Sequence, residues 1–128
     1  MNKPDNAVKF TVGIDRLFRL WLTFLKPIHK LTDGEMKLAS ELLLKRYELE
    51  KEIPNQQLLD VTLMSKEVRH EIMTKLKMDN RYMQVVLSRM RNKKFLIGNA
   101  INPKFVPMLN GTNIFRLLLY FEINEEKK

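Results

Sequence analysis

The chain has 128 residues with a net charge of +8, and hydrophobic residues make up 45% of it. This length suits one domain with one core, and the apolar content excludes an intrinsically disordered chain. The chain has no Cys, which excludes disulfides, thiolate nucleophiles and Cys-based metal sites and favours a reducing compartment, the cytoplasm. The basic balance predicts a polyanionic partner.

The positive charge is unevenly distributed. Residues 65–94 hold nine Lys and Arg against three Asp and Glu, whereas residues 32–64 hold four against seven. Residues 1–31 hold a smaller excess of six against two. We expect no secretory signal, because the start of the chain has no apolar core. The stretch "IDRLFRLWLTFL" is too short and too charged to cross a bilayer, so no membrane association is expected.

The N-terminal segment, 1–31, predicts a strand followed by an apolar helix. The strand is suggested by the alternation in "AVKFTV", and the helix spans 13–26 and ends at Pro27. Apolar side chains cover more than half of this helix: Ile14, Leu17, Phe18, Trp21, Leu22, Phe24 and Leu25. Two interpretations stay open, a helix buried in the core and a surface at 14–25 that forms a homodimer or binds a partner.

The sequence of residues 32–94 predicts a helical core made of four helices. "LTDGEMKLASELLLKRYELEKE" at 31–52 predicts a second helix, at whose start Thr32 and Glu35 have the spacing of a capping box. A short helix is expected between it and Ser65. Ser65 is the expected N-cap of a third helix at 66–77, and a fourth follows at 81–93 after "MDN". The fourth helix has one narrow apolar stripe, formed by Met83, Val86, Leu87 and Met90.

In the last third of the chain, the spacing of the apolar residues changes from a helical to an alternating pattern. Gly98 and Asn99 predict either a hairpin turn or the start of a loop. Residues 102–113 predict a loop, and "FRLLLYFEI" at 115–123 predicts a strand. We therefore expect one domain over 1–128, with strands or a wing at 95–124 and a charged tail at 125–128.

Catalytic patterns are missing. His70 and Glu71 resemble the start of a zinc-protease helix, but Thr74 stands where the second His would be needed. The chain has no Gly-rich phosphate loop, and the paired acids Glu125 and Glu126 lie in the tail. We expect neither enzyme activity nor a metal or cofactor.

The fourth helix carries the candidate site. With its apolar stripe inward, the opposite face presents side chains that can reach base edges in a DNA major groove. Basic side chains beside that face suit phosphate contact, and the helix N-terminus attracts anions. Asn80 is the expected cap of this helix. The candidate DNA-binding residues are Asn80, Arg81, Gln84, Val85, Ser88, Arg89, Arg91, Lys93 and Lys94.

These segments resemble a winged helix-turn-helix protein over roughly 31–123. "SKEVRHEIMTKLKM" resembles the first helix of that motif, and "DNRYMQVVLSRMRNKKFLI" resembles the recognition helix and its exit, with Lys94 at a position where Gly is usual. "AINPKF" is similar to the wing end of plasmid replication initiators, and the leading apolar helix is similar to that of multiple-antibiotic-resistance regulators. The resemblance implies an α+β, mainly helical fold with a C-terminal β-hairpin or small sheet. It also implies sequence-specific double-stranded DNA binding in a phage- or plasmid-type transcription regulator or replication accessory.

A second hypothesis is a non-catalytic protein-interaction module, such as a phage structural or polymerase-binding adaptor. The connection from 95 to 115 has Lys104 as its only basic residue, whereas a wing that reads the minor groove usually offers several. This hypothesis predicts ion pairs between the second and fourth helices. The bases Arg89, Arg91 and Lys93 would pair with acids such as Glu48, Glu50 and Glu52, and an apolar patch would be left open instead.

Overall fold

A computed structural model of the chain describes residues 8–109, 115–116 and 121–125. The helices in these ranges are α1 (Ile14–Phe24), α2 (Lys26–His29), α3 (Asp33–Glu50), α4 (Gln56–Leu63), α5 (Lys66–Leu76) and α6 (Asn80–Asn92). Strands β1 (Leu96–Ile97) and β2 (Ala100–Ile101) follow, and then a 3-10 turn at Pro103–Phe105. The fold is α+β and mainly helical, with a small antiparallel sheet, as predicted.

The first helix is shorter than predicted, and Pro27 does not end it. α1 stops at Phe24, and the chain then makes one further helical turn, α2, in which Pro27 lies near the start. Proline is tolerated in the first turn of a helix, because the N–H group that it lacks has no intrahelical acceptor there. Lys30, with a left-handed φ of 57°, ends this turn.

α3 is the central helix. Its predicted capping box is confirmed: the Glu35 N–H donates to Thr32 Oγ1 at 3.2 Å, and the Thr32 N–H donates to Glu35 Oε1 at 3.0 Å. α1, α4, α5 and α6 all pack against α3, so its apolar residues are buried on several sides. They are Met36, Leu38, Ala39, Leu42, Leu43 and Leu44. α3 therefore fixes the positions of the helices around it.

The next three helices each begin with a capping side chain. Asn55, Ser65 and Asp79 accept hydrogen bonds from backbone N–H groups three residues ahead, at 2.9, 3.3 and 2.8 Å. The short helix before Ser65, α4, and the Ser65 cap were predicted. The expectation that Asn80 caps α6 is wrong, because the helix begins one residue earlier and the Asp79 carboxylate reaches the Tyr82 N–H. Asn80 is instead the first helical residue.

A tight hairpin follows α6. Lys94 adopts a φ of 66°, which turns the chain so that Phe95 and Leu96 enter the core. Leu96 pairs with Ile101 and Ile97 with Ala100, so the predicted turn at 98–99 is confirmed. Gly98 has a φ of 64°, a conformation that glycine adopts without steric cost.

Two predicted strands are not found where the structure describes the chain. Of the strand predicted at 7–12, residue 7 lies outside the described residues and 8–12 form no strand, because a six-residue alternating pattern needs a partner strand to supply its hydrogen bonds. Residues 115–116 and 121–123 likewise carry none, and 117–120 of that predicted strand lie outside the described residues. Within the described ranges, every helix is too short or too polar to cross a membrane.

Candidate nucleic-acid interface

One face of α6 lies open to solvent. Met83, Val86, Leu87 and Met90 are buried, as predicted, so the side chains on the opposite side of the helix point outward. Arg81, Val85 and Ser88 lie on that side; Val85 is 42% exposed, and Arg81 and Ser88 are exposed polar residues. Gln84 lies at the edge of this face and is half-buried.

Asn92 belongs to the same face and was missed in the sequence interpretation. It follows Ser88 by four residues, which on a helix places it on the same side, and it is exposed. The helical spacing alone would have identified it. We call Arg81, Val85, Ser88 and Asn92 the outer face of α6.

Arg91 lies beside the hairpin rather than on the outer face. Its Nε–H donates to the Gly98 carbonyl oxygen at 2.9 Å, and its guanidinium donates to Asn99 Oδ1 at 3.1 Å. Both acceptors belong to the two-residue turn between β1 and β2. Arg91 therefore ties the hairpin tip to α6, and its donors are partly occupied within the chain.

Lys93 is held by groups at and just before the start of α3. Its Nζ donates to Glu35 Oε1 at 2.6 Å and to the Lys30 carbonyl oxygen at 2.9 Å, which joins the end of α6 to the start of α3. The Glu35 side chain is only 2% exposed. Burial would raise the pKa of the Glu35 carboxyl, but hydrogen bonds from Lys93 and from the Thr32 N–H, helped by the charge of Arg89, outweigh it and lower the pKa.

Three basic side chains near α6 remain available. Arg81, Arg89 and Lys94 are exposed, and no ion pair or hydrogen bond of their side chains occurs in the part of the chain that the structure describes. Asn80 is also exposed, in the first turn of the helix. Of the predicted site, Arg81, Val85 and Ser88 belong to the outer face, and Asn80, Gln84, Arg89 and Lys94 border it. Arg91 and Lys93 have partners elsewhere in the fold.

The ion pairs expected for an interaction module are not those observed. Lys93 pairs with Glu35, and Glu50 pairs with Arg46 at 3.0 Å. Among the described residues, Glu48 and Glu52 make no ion pair with the basic residues of α6. The charges of α6 are therefore not neutralised by the acidic end of α3.

The turn between α5 and α6 has a fixed geometry. Lys77 adopts a left-handed φ of 56°, and the Met78 N–H then bonds to the Met73 carbonyl oxygen at 3.0 Å. This closes the end of α5 and turns the chain within three residues into the Asp79 cap. Two helices resting on α3 are thereby joined by a short, hydrogen-bonded turn.

The histidines differ in environment. His29 is buried, its Nε2–H donates to the Leu22 carbonyl oxygen at 2.7 Å, and its Nδ1 accepts the Leu31 N–H at 2.9 Å. Burial lowers the pKa of His29, although the bond to Leu22 acts in the opposite direction. His70 is exposed on α5. Across residues 8–109, 115–116 and 121–125, no three His, Asp or Glu side chains gather as a metal site would require.

Comparison of the chain with protein-family models, with curated proteins and with solved structures found no significant match.

Proposed function

We propose that this chain binds double-stranded DNA in a sequence-specific manner, with α6 in the major groove. The observation that carries the proposal is the outer face of α6, which is exposed and has no acidic residue on it. α5, its three-residue turn, α6 and the hairpin follow the order of a winged helix-turn-helix, which is the fold type we propose for 31–101.

Each residue of the site has a proposed role. Arg81 suits guanine, because its guanidinium can donate to both O6 and N7, and Asn92 and Gln84 suit adenine. Val85 offers an apolar contact for the methyl group of thymine, and Ser88 can bond to several base edges. These residues would supply the sequence preference.

Phosphate contacts would supply most of the affinity. Arg89 and Lys94 flank the outer face with charges that no described residue pairs, and Asn80 lies at the positive end of the α6 dipole. Arg91 and Lys93, which were also predicted to contact DNA, are proposed to act through the scaffold: Arg91 holds the hairpin, and Lys93 holds α6 against α3. The chain would then serve as a transcription regulator or a replication accessory.

A salt titration with random duplex DNA tests the proposal. The wild-type affinity should fall steeply with salt concentration, because each phosphate contact releases a counterion. An Arg89→Gln/Lys94→Gln variant should bind all sequences more weakly and with a smaller slope. A Lys9→Gln/Lys66→Gln variant loses the same charge at exposed positions away from α6 and is the matched control. Wild-type protein that fails to shift duplex DNA at low salt would end this proposal.

Self-association through α1 is a second proposal, and partial exposure of that helix favours it. Phe18, Leu22 and Leu25 are buried against the core, but Leu17 and Leu20 are only half-buried and Phe24 is 43% exposed. Leu17, Leu20 and Phe24 have the spacing of one helical stripe, which a second copy of the chain could cover with twofold symmetry. Such a dimer would place two α6 helices at successive half-sites. A purely protein-binding adaptor would use the same stripe for another partner.

A further inference from the structure

A shallow basic pocket lies beside the turn that leads into α6. Its volume is about 290 Å³, and it is formed where α1, α3 and the end of α5 meet. The lining residues are Arg19, Lys37, Ser40, Glu41, Lys75, Leu76 and Lys77. We call it the four-cation pocket.

The charge of this pocket is poorly compensated. Four of its side chains are cationic and one is acidic, and that acid, Glu41, pairs with Lys75 at 2.9 Å. Arg19, Lys37 and Lys77 form no ion pair with any residue that the structure describes. Like charges held around one concave surface repel each other, and an anion that enters the pocket relieves that repulsion.

Helix stabilisation accounts for only part of this cluster. Lys75 and Lys77 lie at the C-terminal end of α5, where positive charge complements the helix dipole. Arg19 belongs to the middle of α1, and Lys37 follows the capping box of α3 by two residues, so neither position gains from that effect. Two chain segments distant in sequence from α5 therefore bring additional positive charge to the same pocket.

The pocket is adjacent to the N-terminal turn of α6. Lys77 precedes Asn80 by three residues in a turn of fixed geometry. On the other helix, a β-carbon placed on Gly34 would lie 3.2 Å from the Tyr82 hydroxyl oxygen, so the Tyr82 side chain reaches from the first turn of α6 to the first turn of α3. Lys37 lies one turn beyond Gly34 on α3, on the same side of that helix. The DNA backbone that borders the groove occupied by α6 would therefore continue towards the pocket.

We propose that the four-cation pocket binds a backbone phosphate of the same duplex, just outside the groove that α6 occupies. This inference rests on the proposed function and deepens it, because it extends the contact surface from α6 to α1 and α3. Arg19 and Lys37 donate to the phosphate oxygens, and Lys77 supplies charge at the edge nearest α6. The contact is independent of base sequence and fixes the orientation of the protein on the duplex.

The experiment compares an Arg19→Gln/Lys37→Gln variant with the Lys9→Gln/Lys66→Gln control. Both lose two exposed positive charges, and Lys66 lies at the opposite end of α5 from the pocket. Thermal unfolding first establishes that both are folded. The pocket variant should bind duplex DNA with a salt slope smaller by about one, the value expected for one lost phosphate contact. Its preference for a selected site over random duplex should be unchanged.

Ethylation of single phosphates locates the contact. One ethylated phosphate outside the α6 half-site should weaken binding of the wild type but not of the pocket variant, because that variant no longer uses it. A second variant, Lys77→Asn, keeps a residue that tolerates the left-handed turn and should also reduce the salt slope. If the pocket variants bind DNA with the slope and ethylation pattern of the control, the inference is overturned and the role of α6 stands. If the wild type binds no duplex DNA, both proposals fail together.

Discussion

The ion pair between Lys93 and Glu35 separates a structural lysine from Arg89, the arginine four residues earlier that is proposed to bind DNA. In a Lys93→Met variant the apolar stem of the side chain is retained while the amine is lost. A hydrogen bond to a charged group is worth about 1.5–3 kcal/mol, and a fully buried ion pair that loses one partner costs about 3–5 kcal/mol. The Lys93 side chain is 31% exposed, and Glu35 keeps the Thr32 N–H, so the lower values apply. We expect a loss of about 2 kcal/mol in the free energy of unfolding.

Urea unfolding measures this loss. With a denaturant slope of about 2 kcal/mol per molar, the midpoint of Lys93→Met should fall by about 1 M. Arg89→Met is the matched control, because Arg89 is exposed and forms no ion pair within the described ranges; its midpoint should change little. Adding Glu35→Gln to Lys93→Met should recover part of the stability, since the variant then buries no unpaired carboxylate.

The two single variants should have the opposite order in DNA affinity from their order in stability. Arg89→Met should weaken binding to all duplexes, whereas folded Lys93→Met should bind nearly as the wild type does. Equal urea midpoints for Lys93→Met and Arg89→Met would refute the reasoning. The ion pair would then contribute nothing to stability, and Lys93 would return to the set of phosphate-binding residues.

The remaining predictions concern base readout, pH and association. Arg81→Ala and Gln84→Ala should each relax sequence preference by about 1–3 kcal/mol at one base position in a selected-site experiment, and an unchanged profile would argue against readout by α6. Because the pKa of buried His29 is lowered, the unfolded chain binds a proton more readily, so stability should fall as the pH drops below 6.5; a urea midpoint equal at pH 7.5 and 5.5 would contradict this. Sedimentation across a concentration series should show a dimer that Phe24→Glu abolishes, and a species that stays at 15.3 kDa into high micromolar concentration would exclude it.

Local signals predicted the helical part of the fold well. The Thr32 capping box, the Ser65 cap and the stripe from Met83 to Met90 depend on residues within a few positions of each other, so the sequence contains them directly. The turn at Gly98 is local in the same sense. Such features depend on neighbouring residues, so they can be predicted without knowledge of the tertiary fold.

Long-range partners could not be predicted in the same way. Lys93 and Glu35 are 58 positions apart, and only the packing of α6 against α3 brings them together. Arg91 was assigned to DNA from its place on the helix, although the hairpin that it holds is formed by residues beyond the helix. A helical wheel gives the direction of a side chain, whereas the tertiary fold decides what lies in that direction. The strand expected at 7–12 is not found in 8–12 for a related reason, since alternation does not create a partner strand.

Three lysines end helical segments in a conformation that favours glycine. Lys30, Lys77 and Lys94 have φ values of 57°, 56° and 66°, a region that costs a side-chain-bearing residue about 1–2 kcal/mol. The chain thus keeps positive charge where a glycine would make it more stable. Lys30→Gly offers a stabilised protein whose proposed DNA contacts are intact, which suits structural work. At Lys77 and Lys94 the same change would raise stability but lower DNA affinity, because both residues border surfaces proposed to hold phosphate. A more stable homologue with glycine at those two positions would be a weaker DNA binder.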